Sequence, residues 1–238
     1  MARARSFFLP IALLAAMTLC LPLAAQFWQQ KKPAAWSSGD CKKLLTNSPW
    51  AKTYVAISDY RAIGSIQATP LRITYVAQLW SARVVREAMV RNAQLDAGYA
   101  QLGPAEKQAQ DEEAAKFIAA DTPDRVIVQV LFAVNKDFYA KRLNTYWQER
   151  TVATLRNVVA LAGPRGRVAP VGFTPPTADK AEMQFVFPRL MEGKPIVEPG
   201  DAALALEIDM SHWGVMKGEK VRIEFAVSEM TLDGKLLY

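Results

Sequence analysis

The feature that most constrains this chain is a succession of short β-prone segments separated by turn signals. Residues 72–80 alternate between apolar and other side chains, which is the pattern of a half-buried strand. The other β-prone segments lie at 53–57, 126–134, 152–161, 167–173, 183–187, 203–208 and 221–230. Asp233-Gly234 stands between two short segments and is typical of a two-residue type I′ hairpin.

Helical periodicity interrupts this β pattern. Ser37 and Asp40 have the spacing of a capping box at the start of a helix. Residues 81–120 carry two helical segments, and Ser81 is the predicted cap of the first. We therefore expect an α+β fold: mainly an antiparallel β-sandwich (immunoglobulin-like or an open barrel), with an N-terminal helix and a two-helix insertion between strands.

The N-terminal segment has the layout of a secretory signal peptide. Arg3 and Arg5 precede an apolar run, which small residues close before Gln26. We expect residues 1–25 to be the signal peptide, residues 26–35 a short tether and residues 36–238 a single β-rich domain. Cleavage lowers the formal net charge from +6 to +4, because only Arg3 and Arg5 leave with the signal. The protein is expected to be exported, to the periplasm or the extracellular space.

Two membrane-bound alternatives stay open. The apolar run at 7–23 approaches the roughly 20 residues that span a bilayer, so an uncut segment could serve as an anchor. Cys20 could instead accept a lipid, although Leu19 before it is bulkier than the residue usual at that position. Contact with a membrane is expected only if the N-terminal segment is retained.

The composition excludes several classes of protein. With 51% hydrophobic and 22% charged residues, the chain is that of a globular protein with its own core. Two cysteines cannot form a disulfide-dense scaffold, and one histidine cannot supply most catalytic zinc sites. The sequence contains neither G-x-x-x-x-G-K-[ST] nor G-x-G-x-x-G. We therefore predict no cofactor and no metal site, and the modest charge of the mature chain does not indicate nucleic acid as a partner.

After cleavage, Cys41 is the lone cysteine of the chain. A lone thiol in an oxidising compartment is either buried or a candidate for pairing between chains. Cys41 shares a predicted helix face with Leu44 and Leu45. This placement predicts a structural core residue, with a reactive thiol as the alternative.

A glycine-rich turn at 163–166 suggests a basic hairpin tip. It carries Arg165 and is followed by Arg167, and Arg156 lies nearby in the sequence. Such a tip could contact an anionic surface polymer or a lipid headgroup, and an ordinary solvated hairpin is the alternative.

His212 is the third candidate for contact with a ligand or partner. It follows Asp209 and Ser211, which together suggest a nucleophilic triad. A triad needs an exposed serine and an oxyanion hole, and the sequence contains no G-x-S-x-G elbow. We predict no catalytic residue, and we expect His212 to lie in a loop.

Two further groups of residues have more than one interpretation. The stretch at 138–149 mixes aromatic with basic side chains, and we expect a helix packed on a sheet, with a contact surface as the alternative. Glu207 and Asp209 share one side of a strand by its period of two, whereas the acidic run at 111–113 suits a solvated helix face. Two carboxylates are what glycoside hydrolysis needs, so an exported glycan hydrolase stays open.

Two stretches carry a resemblance. WS at 36–37 with DCKKLLTNSPWA at 40–51, and DGKL at 233–236, are similar to a group of uncharacterised secreted bacterial proteins. The resemblance implies export and a shared fold, and no activity. We expect a non-enzymatic exported β-sandwich module that binds or scaffolds an envelope component, either a protein or a polysaccharide. The alternatives are the glycan hydrolase and a membrane-tethered assembly component.

Overall fold

The computed structural model describes residues 27–58, 69–120, 122–215, 220–232 and 234–238. The predicted signal peptide, including Cys20, and Asp233 of the predicted hairpin lie outside these residues.

The bounds of the elements are as follows. The α-helices are α1 (Phe27–Gln30), α2 (Ser38–Thr46), α3 (Arg83–Asp96), α4 (Pro104–Ala119), α5 (Asp137–Gln148) and α6 (Val152–Leu155). Short 3-10 turns lie at Pro33–Ala35, Tyr99–Gln101, Ser211–Trp213 and Val227–Met230. The strands are β1 (Ala51–Ser58), β2 (Leu71–Leu79), β3 (Arg125–Val134), β4 (Val159–Gly163), β5 (Gly166–Val168), β6 (Gly172–Thr174), β7 (Glu182–Pro188), β8 (Leu190–Met191), β9 (Lys194–Pro195), β10 (Ala203–Asp209), β11 (Lys220–Ala226), β12 (Thr231–Leu232) and β13 (Lys235–Leu236).

The longer strands form two antiparallel sheets. The first sheet has the order β1-β2-β3-β7-β6, and the second has the order β11-β10-β4-β5. Two small ribbons, β8 with β9 and β12 with β13, lie apart from them. The chain passes from the second sheet to the first between β5 and β6. The structure confirms the predicted α+β fold, which is mainly an antiparallel β-sandwich.

Alternation along the strands builds a single core between the sheets. Tyr75 and Phe132 are cross-strand partners in the first sheet and point to this core, as does Phe185 on β7. Leu206 on β10 reaches the same cluster from the second sheet. Removing these apolar surfaces from water is the main stabilising term of the sandwich.

Helix α5 closes one side of the core. Trp147 is fully buried, and its ring lies 6.1 Å from that of Phe185 in an edge-on arrangement. Tyr146 is also buried, under the guanidinium of Arg150, which lies 4.0 Å from its ring centre. The predicted helix at 138–149 is confirmed, and its aromatic residues Tyr146 and Trp147 are core residues.

The two-helix insertion lies between β2 and β3, which are neighbours in the first sheet. Arg86 of α3 links the two ends of the insertion. Its guanidinium donates hydrogen bonds to the carbonyl oxygens of Ser81 at 2.5 Å and of Ile118 at 3.1 Å. Ser81 is not the helix cap that we predicted. Its hydroxyl accepts a hydrogen bond from the Ile127 amide of β3 at 3.3 Å, and Ala82 is the N-cap without a side-chain bond.

The acidic run at 111–113 is exposed on α4, as predicted.

The N-terminal helix begins as predicted, but the segment before it is not a tether. The Asp40 amide donates to the Ser37 hydroxyl at 3.1 Å, and the Ser37 amide donates to the Asp40 carboxylate at 3.0 Å. Before this capping box, Phe27 packs edge-on against Trp36 at 6.0 Å, and Trp28 against Trp50 at 5.7 Å. These aromatic contacts make residues 27–35 part of the fold, in α1 and a 3-10 turn.

Three of the predicted strands have different bounds. The strand predicted at 221–230 ends at Ala226, and residues 227–230 form a 3-10 turn. Residues 152–155 form α6, because Thr151 caps them with its hydroxyl, and the strand begins only at Val159. The segment predicted at 167–173 is divided, since β5 belongs to the second sheet and β6 to the first. The β4–β5 turn is the predicted hairpin, with Gly163 paired to Gly166.

We expect Gly163→Ala to destabilise the protein by about 2 kcal/mol, since overpacking a close contact has a cost of this size. A β-carbon at Gly163 would lie 2.3 Å from the carbonyl oxygen of Ile196, which belongs to the backbone and cannot rotate away. Gly39→Ala is the matched control, because its β-carbon meets only the Ser37 hydroxyl at 3.8 Å. In a helix that change should stabilise by about 0.5 kcal/mol. Urea unfolding measures the change in stability of both variants. Equal changes for Gly163→Ala and Gly39→Ala would contradict a close contact between Gly163 and the Ile196 carbonyl.

Candidate functional site

The outer face of the second sheet carries a cluster of charged side chains on a concave surface. On β10, Leu206 and Ile208 are buried in the core, so Glu207 and Asp209 point to the opposite side. On β11, Arg222 lies directly opposite Glu207 in the register. The alternation that builds the core therefore also presents these charges to solvent.

Two arginines converge on Glu207. Arg167 Nη2 lies 2.6 Å from Glu207 Oε2, and Arg222 Nη1 binds Glu207 Oε1. Arg222 also donates from Nε to Glu224 at 2.8 Å. Since the strand order is β11-β10-β4-β5, Arg167 reaches Glu207 across β4, and Arg222 reaches it from the adjacent strand. We call this arrangement the arginine bridge (Arg167, Glu207 and Arg222).

A groove of about 540 Å³ lies beside the arginine bridge. Its charged lining residues are Arg156, Arg167, Lys220, Arg222, Glu207 and Asp209. These four cations and two carboxylates leave a net charge of +2. The volume lies in the usual range for binding pockets, and its charge favours an anionic ligand.

Small side chains make room for the groove. Ala160 on β4 is the cross-strand partner of Glu207, and Ala162 is the partner of Arg167. Both alanines point outward, yet they are nearly buried at 8% and 9% exposure. A larger residue at Ala160 would fill the floor of the groove.

Asp209 closes one end of the groove beside Lys220, its cross-strand partner. The Ser211 amide donates to Asp209 Oδ1 at 2.9 Å. Hydrogen bonds from the Ser211 hydroxyl and amide hold the pKa of the Asp209 carboxyl below its ordinary value, helped by the charge of Lys220. Asp209 is therefore held in its ionised form.

The structure separates the two arginines of the predicted basic tip. Arg165 turns away from the groove and pairs with Asp201 at 3.1 Å and with Glu198. Arg167 enters the groove, where Arg156 also lies. Neighbours in the hairpin thus have different environments: Arg165 is neutralised by two carboxylates, and Arg167 shares one with Arg222.

The remaining candidates lie outside the groove. His212 is exposed in the 3-10 turn Ser211–Trp213, and its charge contributes slightly to the low pKa of Asp209. Cys41 is fully buried on α2, and this burial raises the pKa of its thiol. The burial agrees with a structural role for Cys41.

Lys220 and Arg222 were not predicted as site residues from the sequence. The signal was present, because Lys220, Arg222 and Glu224 alternate with the apolar residues of β11. It becomes informative only once β11 is known to pair with β10, since that pairing places Arg222 against Glu207.

Neither a cluster of potential metal ligands nor a helix that could span a bilayer is present among the residues that the structure describes. No group of three or more His, Cys, Asp or Glu side chains among those residues is arranged to hold a metal ion. No helix within the same ranges is long and apolar enough to cross a bilayer.

We expect Asp209→Asn to be less stable than wild type at pH 6, and we expect this difference in stability to be smaller at pH 3. Because the folded-state pKa of Asp209 is lowered, its ionised form stabilises the fold above the unfolded-state pKa, and that contribution is lost as the pH falls through the folded-state pKa. Urea unfolding at the two pH values measures the difference. Asp179→Asn is the control, because it removes one exposed carboxylate outside the groove. It measures the change in stability that comes from losing any one negative charge. A difference that persists unchanged in acid would contradict the assignment.

We expect Cys41 to be unreactive toward Ellman's reagent in the folded protein without residues 1–25. Burial blocks access and raises the pKa of the thiol, so little thiolate is present to react. In concentrated urea the same thiol should react at the rate of a free cysteine. Rapid labelling without denaturant would instead show an accessible, reactive thiol.

Comparisons of the chain with protein-family models, curated proteins and solved structures each found no match. The resemblance to secreted bacterial proteins therefore stays a prediction, based on residues 36–51 and 233–236. The function has to be argued from the groove and its charges.

Proposed function

We propose that the chain is a non-enzymatic exported module that binds an anionic component of the cell envelope in the groove of its second sheet. The observation that carries this proposal is the excess of cationic side chains around a preformed concave surface, with a net charge of +2. Export is supported by the sequence of residues 1–25, which has the layout of a signal peptide.

Two of the four cations are available to a ligand without breaking an ion pair. Arg156 and Lys220 form no salt bridge within 4.0 Å to any residue that the structure describes, although both line the groove. Arg167 keeps 66% of its side chain exposed while it contacts Glu207. An anion in the groove can therefore pair with Arg156 and Lys220 without displacing a carboxylate, and Arg167 lines the same groove.

The second candidate function, glycan hydrolysis, is favoured by one observation: Glu207 and Asp209 share the groove-facing side of β10. Alternate residues of a strand lie about 7 Å apart, a separation that suits two catalytic carboxylates. However, a general acid must stay protonated at working pH. The pKa of Asp209 is lowered, so Asp209 does not suit that role. Both carboxylate oxygens of Glu207 are already occupied by guanidinium groups and are not free to contact a substrate.

A membrane-tethered assembly component is the third candidate, and it depends on what happens to residues 1–25. The intact mass of native protein distinguishes the forms: loss of the segment, retention of the full chain, or a lipid added at Cys20. Only the last two would favour a tethered protein.

We expect the protein to bind dextran sulfate and not uncharged dextran. The double variant Arg156→Gln/Arg167→Gln should weaken this binding by about tenfold, since each surface charge pair contributes up to about 1 kcal/mol. Arg165→Gln is the control for the Arg167 change, because it removes one positive charge from the same hairpin outside the groove. Binding is measured by affinity electrophoresis at two salt concentrations, and higher salt should weaken it.

Equal binding by wild type and the double variant would show that the groove is not the site. Release of reducing ends from an acidic polysaccharide, abolished by Asp209→Asn, would establish the hydrolase instead.

A further inference from the structure

We infer that the groove takes an acidic glycan, a polysaccharide whose sugars carry carboxylate groups, and that Glu207 occupies the position of one of those carboxylates. This inference rests on the proposed function and names the class of its ligand.

The arginine bridge shows which group the two guanidiniums accommodate. Arg167 and Arg222 approach one carboxylate from opposite sides, and each takes a different oxygen of Glu207. A planar carboxylate matches the donor geometry of guanidinium groups. A ligand carboxylate therefore competes with Glu207 for the same donors.

The competing position is open to solvent. The side chains of Arg167 and Arg222 are 66% and 49% exposed, whereas Glu207 beneath them is 22% exposed. A ligand can reach both guanidiniums without movement of the strands that carry them.

A second position for a carboxylate lies at the Asp209 end of the groove. Lys220 is two residues before Arg222 on β11, so the two outward side chains start about 7 Å apart. Arg156 lines the groove as well. The net charge of +2 balances two singly charged groups, which a polymer with repeated carboxylates can supply.

The acidic side chains favour a glycan over other polyanions. Glu207 and Asp209 are hydrogen-bond acceptors that line the groove next to its cations. Asn157 also lines the groove, and its side-chain amide can both donate and accept hydrogen bonds. Sugar hydroxyls donate to carboxylates, so a glycan with uronic acids satisfies both kinds of lining residue. Polyphosphate has no hydroxyl groups to donate to Glu207 and Asp209, so it satisfies only the cationic lining residues.

Isothermal titration with oligogalacturonate tests the inference, beside neutral malto-oligosaccharide, polyphosphate and polyglutamate. We expect binding of oligogalacturonate and no binding of the neutral sugar. Glu207→Gln should tighten the affinity about fivefold, since it removes a negative charge close to the ligand carboxylate. Arg167→Gln should weaken the affinity about tenfold, because it removes one of the two guanidiniums. Arg165→Gln should leave the affinity unchanged, and thermal unfolding confirms that each variant is folded.

The outcomes separate this inference from the proposed function. Weaker binding by Glu207→Gln would overturn the role of Glu207 as a stand-in for the ligand. Binding of polyphosphate or polyglutamate alone, sensitive to Arg167→Gln, would overturn the glycan and leave an anion-binding module. Failure of every anion to bind would overturn both proposals.

Discussion

The alternation of side chains along β10 is the constraint on which the rest of the structure depends. This strand is internal to the second sheet, and its inward residues Leu206 and Ile208 belong to the core, whereas Glu207 and Asp209 face outward. A slip of one residue in its pairing would turn both carboxylates into the core. Burial of an ion without a partner costs several kcal/mol, which is comparable with the whole stability of a domain. The same register therefore holds the sandwich together and places the groove on its outer face.

The arginine bridge contributes to the shape of the groove more than to the stability of the fold. Exposed ion pairs are worth about 1 kcal/mol or less, and both arginines are largely exposed. The two arginines instead define the shape of the groove. Arg167 extends across β4, where the small side chain of Ala160 leaves space that a larger residue would fill. The site thus combines a rigid floor, set by backbone pairing, with long side chains that can change partners. This combination suits recognition of a flexible polymer better than chemistry at one fixed atom.

The sequence predicts those parts of the fold that depend on local patterns. The strand at 72–80 and the capping box of Ser37 and Asp40 follow from periodicity and spacing, and both are present in the structure. Residues 152–155 were expected in a strand because they are apolar or β-branched, but a cap by Thr151 favours a helical turn. The candidate site was harder to predict from the sequence, because the carboxylate partners of Arg165 and Arg167 lie 33 to 40 residues further along the chain. Only tertiary pairing reveals that one of these arginines is neutralised and the other lines a groove.

The aromatic contacts of α1 have a consequence for how the protein is produced. A recombinant chain shortened to begin at Trp36, the domain boundary suggested by composition, would lack Phe27 and Trp28. Trp36 and Trp50, which are 1% and 3% exposed, would lose their edge-on neighbours and become accessible to water. Each such aromatic pair is worth about 1 kcal/mol beyond its buried area, and newly exposed indole rings promote aggregation. The smallest chain that retains a closed surface therefore starts at or before Phe27, close to the site where the signal peptide is expected to be cut.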